Sequence, residues 1–310
     1  MRRLRIQTTA AAFTLLLFSV ASAQTPNNAV SHYRDGTKKV GRGDLDGAIE
    51  DYSRAIAISS RLGSEKDNSS NNKITVIDPF TAYAYTNRGV ARYRKGDFEG
   101  AKADFDAALR IRPGLATAYL NRAAARRELG DLTGALADAD RAISIKPDFF
   151  EGYSNRGALR HDLGDLTGAL EDFDHAVKLN PHSAEAVYLR GYARIAAKNY
   201  DGAVSDFQTA VKLAPNMALA YHGLGTALMY KGAVDASIDN FTKALDRDPG
   251  IVWAYFNRGL ALLLKGEEAR AQADFDRCLA LNHNLKDELV RRAELARGMY
   301  QQKNKAIVRD

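Results

Sequence analysis

An all-α protein, a solenoid of stacked helix hairpins, is the fold class that this 310-residue sequence predicts. Three observations carry the prediction. Prolines recur every 34 residues, at Pro113, Pro147, Pro181, Pro215 and Pro249, with His283 on the next beat. When the unit is numbered so that this proline is position 32, position 8 is small in every copy: Gly89, Ala123, Gly157, Gly191, Gly225 and Gly259. Finally, a glycine at position 15 (Gly96, Gly130, Gly164, Gly232, Gly266) separates two runs whose apolar residues have helical spacing. Self-similarity at this period marks a repeat architecture in which each unit buries its apolar face only against its neighbours.

The chain opens with a basic head at Met1–Arg5, an apolar run at Ala10–Ala21 and a small-residue site at Ala21-Ser22-Ala23. That order is the pattern of a secretory signal peptide spanning 1–23, cleaved after Ala23. The expected location is therefore exported, periplasmic or secreted. The apolar run is short for a bilayer, and no later stretch matches it, so no stable membrane span is expected after cleavage. Residues 24–60 hold a first, degenerate repeat. In it Gly36, Gly43, Ala48, Tyr52 and Ala55 fall at positions 8, 15, 20, 24 and 27 of a unit starting at Ala29, with Ser60 in place of proline. Residues 61–81 read as an inserted polar loop.

Six regular repeats fill 82–285. In each, apolar residues at positions 3, 4, 8 and 10 share one side of a first helix, which the position-15 glycine ends. Positions 20, 24, 27 and 28 share one side of a second helix. Position 24 is Phe105, Phe173, Phe207, Phe241 or Phe275, and Ala139 in the remaining copy. Small residues at 8, 20 and 27 let the two helices approach, and the ring at 24 fills the gap between units. Residues 286–302 follow as a capping helix, with Leu289, Ala293, Ala296 and Tyr300 on one face and charged residues on the rest. A disordered tail is expected at 303–310. The expectation is fourteen helices in seven hairpins, a terminal helix and no sheet.

The pattern of aromatic 4, Gly/Ala 8, Ala 20, Phe/Tyr 24, Ala 27 and Pro 32 resembles the tetratricopeptide repeat, in register over six copies. It departs from that family at positions 7 and 11, usually apolar or aromatic, which here are mostly Arg. The resemblance implies a right-handed α-solenoid of helix-turn-helix repeats with a capping helix. It also implies a non-enzymatic scaffold that binds an extended peptide or a partner protein in a groove lined by first-helix positions 2, 5, 6, 9, 12 and 13. Asn at position 6 often clamps peptide backbone in such proteins. Here Asn87, Asn121, Asn155 and Asn257 occupy it, each with an amide that can both donate and accept. Tyr188, Tyr192 and Tyr230 are expected to continue the wall as an apolar half. The lysines that hold a carboxylate in co-chaperones of the family are missing from position 5. An alternative role is a scaffold in a polysaccharide synthesis or export machine, since exported members also serve such machinery.

One linkage is visible inside the chain. Arginine at position 7 accompanies aspartate at position 23 in five repeats: Arg88 with Asp104, Arg122 with Asp138, Arg156 with Asp172, Arg190 with Asp206, and Arg258 with Asp274. Where the arginine becomes Leu224, the aspartate becomes Asn240. Position 7 lies in the middle of the buried arc of the first helix, so its charge needs a partner. Antiparallel helices joined at position 15 bring positions 7 and 23 to the same height, which points to structural ion pairs. Arg92, Arg126, Arg160 and Arg194 recur at position 11, with partners the sequence does not assign.

Composition argues against several functions. The formal charge is +6, with 44 basic and 38 acidic residues, but Arg2, Arg3 and Arg5 belong to the signal peptide and their removal leaves 41 against 38. Nucleic-acid binding therefore has no basis in charge. The six histidines have no metal-ligand spacing, no phosphate loop or nucleophile motif is present, and no cofactor is expected. Cys278 is the only cysteine and stands at position 27, where the other copies use Ala, so it is expected in the core.

Overall fold

A computed structural model describes residues 27–65 and 79–307. Among them are fifteen α-helices and no strand. In order these are α1 Asn27–Gly41, α2 Leu45–Glu65, α3 Pro79–Arg94, α4 Phe98–Ile111, α5 Ala116–Glu128, α6 Leu132–Ile145, α7 Phe150–Leu163 and α8 Leu166–Leu179. They continue as α9 Ala184–Ala196, α10 Tyr200–Leu213, α11 Ala218–Tyr230, α12 Val234–Arg247, α13 Val252–Leu263, α14 Glu268–Leu281, a 3-10 turn His283–Leu285, and α15 Lys286–Ile307.

Two expected boundaries shift. The loop expected at 61–81 is helical at both ends, because α2 runs to Glu65 and α3 opens at Pro79. Extending an existing helix fixes one residue per hydrogen bond gained, and Pro is pre-organised for a first helical turn. Residues 66–78, like the signal segment 1–23, lie outside the described residues. The disorder expected from 303 also gives way to helix as far as Ile307, through Lys303, Lys305 and Ala306, which are good helix formers.

The chain divides into two compact units, one ending at Asp172 and one beginning at Phe173, the division falling within α8. In the first unit α1–α2, α3–α4 and α5–α6 pair as hairpins, and each hairpin packs on the first helix of the next. In the second, α9–α10, α11–α12 and α13–α14 do the same, and α15 packs against α13.

The repeat positions explain the local structure. The position-24 rings Phe105, Phe207 and Phe241 are fully buried, directly under the position-8 glycines. A Cβ added at Gly89 would come within 2.6 Å of the Phe105 ring, and one at Gly225 within 2.7 Å of Phe241. In the repeat where position 24 is Ala139, position 8 is Ala123, and both are buried. The two positions therefore trade volume across the hairpin. The hairpin turn needs a left-handed residue at position 15, with φ from 79° to 87° at Gly43, Gly96, Gly130, Gly164, Gly232 and Gly266. Lys198 takes the same conformation at φ 60° in the one regular copy without that glycine. One residue on, Asp97, Asp131 and Asn199 cap the second helix by accepting from the N–H of Gly100, Gly134 and Gly202.

Candidate peptide-binding surface

The repeated arginines form a ladder of fixed geometry. Arg122 Nε and Nη2 donate to the two oxygens of Asp138 at 2.8 and 2.6 Å. Arg88 meets Asp104 at 3.0 and 2.7 Å, Arg190 meets Asp206 at 3.0 and 2.7 Å, and Arg258 meets Asp274 at 2.8 and 2.7 Å. Arg156 Nη2 lies 2.6 Å from Asp172. The fork of a guanidinium matches a carboxylate in this bidentate arrangement. Asp138 and Asp172 hold the Arg122 and Arg156 guanidinium pKa values above the ordinary range, against burial that would lower them.

Position 11 supplies a second arginine to the same carboxylate. Arg92, Arg126, Arg160 and Arg194 reach Asp104, Asp138, Asp172 and Asp206 at 3.0, 2.9, 2.8 and 2.8 Å. Each also donates to the carbonyl of the position-19 glycine. Beyond its own repeat, each position-7 arginine donates through Nη1 to position 25 of the preceding one. The acceptors are Ser53, Asp106, Asp140, Asp174 and Thr242. A recurring polar residue at position 25 is thus a sequence signal for a bond between repeats, and sequence reasoning passed over it.

The residues expected on an exposed wall are placed differently. Asn87 is fully buried and donates to the Tyr33 hydroxyl at 2.9 Å. Asn257 is buried, and its Nδ2 donates to His222 Nε2 at 3.2 Å. His222 Nδ1 meets the Tyr192 hydroxyl at 3.0 Å. Burial drives the His222 pKa down to about 4, with a backbone hydrogen bond at Trp253 opposing, so the ring is neutral at pH 7. Tyr188 and Tyr192 are buried, with their rings edge-on to each other and to Phe207. Asn155 is half-buried and returns its amide to the Glu151 carbonyl at 2.9 Å. Only Tyr230 is open, 50% exposed and stacked on Tyr200. The expected wall of amides and rings is therefore mostly interior. At Asn87 and Asn257, position 6 is turned toward the preceding first helix rather than toward solvent.

One member of the row keeps unused capacity. Asn121 is 3% exposed, and its Nδ2 has no hydrogen-bond partner. Thr117 Oγ1, one turn earlier on α5, is also buried and unpaired. On α7, which touches α5 directly, Ser154 Oγ and His161 Nδ1 are unpaired as well. His161 Nδ1 stands 3.9 Å from Asp162 Oδ1, beyond hydrogen-bond reach. Buried polar atoms are nearly always satisfied, and Asn121 Nδ2, Thr117 Oγ1 and Ser154 Oγ stand out against that rule on two adjacent first helices. Arg127 joins the two helices by an ion pair with Asp162 at 2.6 Å.

Among the described residues no cluster of three His, Cys, Asp or Glu could hold a metal ion, and no helix is long and apolar enough to cross a membrane. Cys278 is buried, and burial with the nearby Asp274 charge pushes its thiol up to about 11.

Sequence profiles described as tetratricopeptide repeat match residues 78–148, 157–218, 218–251 and 240–273, more than half of the chain. The chain belongs to the tetratricopeptide repeat family. Families of this kind generally serve as non-enzymatic scaffolds for protein or peptide partners. No curated protein matches the sequence. Among solved structures, the chain is similar to a tetratricopeptide repeat protein from Parabacteroides merdae ATCC 43184, at 23% identity and TM-score 0.64, covering 87% of this chain and all of that one. It is also similar to a chain of the APC/C hetero-tetramer Cut9–Hcn1 at 17% identity and TM-score 0.65, covering 86% of this chain and 53% of that one. A thermophilic tetratricopeptide protein of Thermus thermophilus, TTC0263, aligns at 22% identity and TM-score 0.51, covering 59% of this chain and 99% of that one. At these identities the likeness is one of fold.

Proposed function

We propose that this protein is an exported, non-enzymatic scaffold that binds an extended segment of a partner protein across the first helices α5 and α7, in the cell envelope or outside the cell. The observation that carries the reading is the unpaired Asn121 amide, 3% exposed. A peptide carbonyl is the ligand group that such a donor lacks, and the hydroxyls of Thr117 and Ser154 offer the complementary pairing to peptide N–H. The amino-terminal pattern at 1–23 supports export. A sugar-binding role in polysaccharide machinery would draw on open aromatic faces, and burial of Tyr188 and Tyr192 removes two of the three expected ones. The test is a pull-down from an envelope fraction with the mature chain beside an Asn121→Ala/Ser154→Ala variant. The variant is expected to lose at least about tenfold in affinity for the captured partner, or ~1.4 kcal/mol. Equal capture by both proteins would refute the surface.

A further inference from the structure

We propose that this surface selects a basic segment: an extended peptide whose lysine or arginine pairs with Glu151 while its backbone meets Asn121 and Ser154. The inference rests on the peptide-binding reading above and adds the charge of the ligand. Glu151 stands at position 2 of α7, three residues before Ser154, so the two side chains share a face. It is half-buried and forms no ion pair among the described residues. Burial holds its carboxyl above the usual range, and its own backbone N–H and the field of Lys146 offset only part of that. Lys146 is itself exposed and lies over the Phe149 ring at 4.7 Å.

The other interior acids of this unit are paired. Asp104, Asp138 and Asp172 are each held by two arginines, and Asp162 by Arg127. In a unit that pairs its buried carboxylates so thoroughly, Glu151 is left partly desolvated, with Lys146 near enough to be felt but no cation in an ion pair with it. A partly desolvated charge gains most from an incoming opposite charge, because part of its hydration has already been given up. A ligand cation supplies what the fold withholds. The neighbouring neutral donors and acceptors, spaced along two helices, suit peptide units better than a free ion.

The probe is a membrane-bound array of dodecapeptides in matched pairs, identical except for Lys or Arg against Glu at one central position. It is read with the mature chain and with Glu151→Gln, Asn121→Ala and Ser154→Ala variants of unchanged Tm. The basic member of a pair is expected to retain about fivefold more wild-type protein than its acidic twin. Glu151→Gln is expected to reduce that ratio below about twofold, whereas Asn121→Ala lowers both members together. Equal retention of the twins by wild type, or a preference that survives Glu151→Gln, overturns the basic-segment proposal. In that case a loss on Asn121→Ala still upholds peptide binding. Should Asn121→Ala and Ser154→Ala change nothing on any peptide, the peptide surface and the proposal fall together.

Discussion

The two units use one 34-residue plan and hold their helices by different chemistry. In the unit ending at Asp172, every regular repeat carries a complete rung of two arginines on one aspartate, as in Arg122 and Arg126 on Asp138. In the unit beginning at Phe173, only Arg190 and Arg194 on Asp206 repeat that arrangement. The next repeat has Leu224 and Asn240, whose amide turns back to the Ala236 carbonyl. The last has Arg258 on Asp274, with Leu262 where the second arginine would stand. The first helices of this unit are instead joined by the neutral relay Tyr192–His222–Asn257. One scaffold can therefore be closed by charge or by apolar packing with a buried polar relay. The two solutions leave different residues over. The relay satisfies its amide internally, whereas the first unit leaves Asn121, Thr117 and Ser154 unpaired.

The largest expected difference between the units lies in the rungs. Asp138→Ala removes the carboxylate that Arg122 and Arg126 share and is expected to cost about 3–5 kcal/mol, nearer the lower figure because Arg122 keeps Asp106, Arg126 keeps the Gly134 carbonyl and both guanidiniums keep some water. Asn240→Ala, the equivalent change in the blank rung, is expected to stay within about 1 kcal/mol. Unfolding midpoints in urea compare them, and equal losses would mean that the rungs do not distinguish the units.

Acid should act next, on the second unit. The folded pKa of His222 is depressed to about 4 from the ordinary 6.5, so between those values the unfolded chain binds the extra proton. Stability contributed by the neutral ring is present above pH 6.5 and is lost as pH falls through this window. From pH 7 to 4.5 the loss attributable to His222 is about 2–3 kcal/mol. His222→Gln keeps a donor and an acceptor without the titration. Urea midpoints measured against pH should show a shallower acid decline for it, and parallel declines would assign the acid sensitivity elsewhere.

The smallest effect separates the two asparagines at position 6. Asn257→Ala orphans His222 Nε2 and is expected to lower stability by about 1–2 kcal/mol. Asn121→Ala removes a donor that has no partner and is expected to leave the melting temperature unchanged or slightly raised. Thermal unfolding monitored by circular dichroism decides it. A clear loss for Asn121→Ala would reveal a bond inside the fold and remove the reason for placing a ligand there.

Most of the fold was legible because it is local and repeated. The 34-residue beat, the glycine at the turn and the small-against-ring exchange of positions 8 and 24 each act within one hairpin, and six copies in register multiply a weak signal. The loss of Arg and Asp together at Leu224 and Asn240 exposed a contact without any second sequence. The partners of Arg126 were harder to see, because a backbone carbonyl carries no letter of its own and Asp138 already had a partner. The candidate site was legible only as a set of positions. Side chains of one type at position 6 met four different surroundings: a tyrosine hydroxyl at Asn87, no partner for the amide at Asn121, a backbone carbonyl at Asn155 and an imidazole at Asn257.

By itself the sequence determined the family, the helix order, the turns and the pairing of position 7 with position 23, since all of these depend on spacing along one chain. Tertiary structure alone decided which polar groups are spent on the fold and which remain. Whether Asn121 or Glu151 has a partner depends on side chains about one repeat or more away, and hydrogen bonding is settled by distances of a few tenths of an ångström that periodicity does not encode.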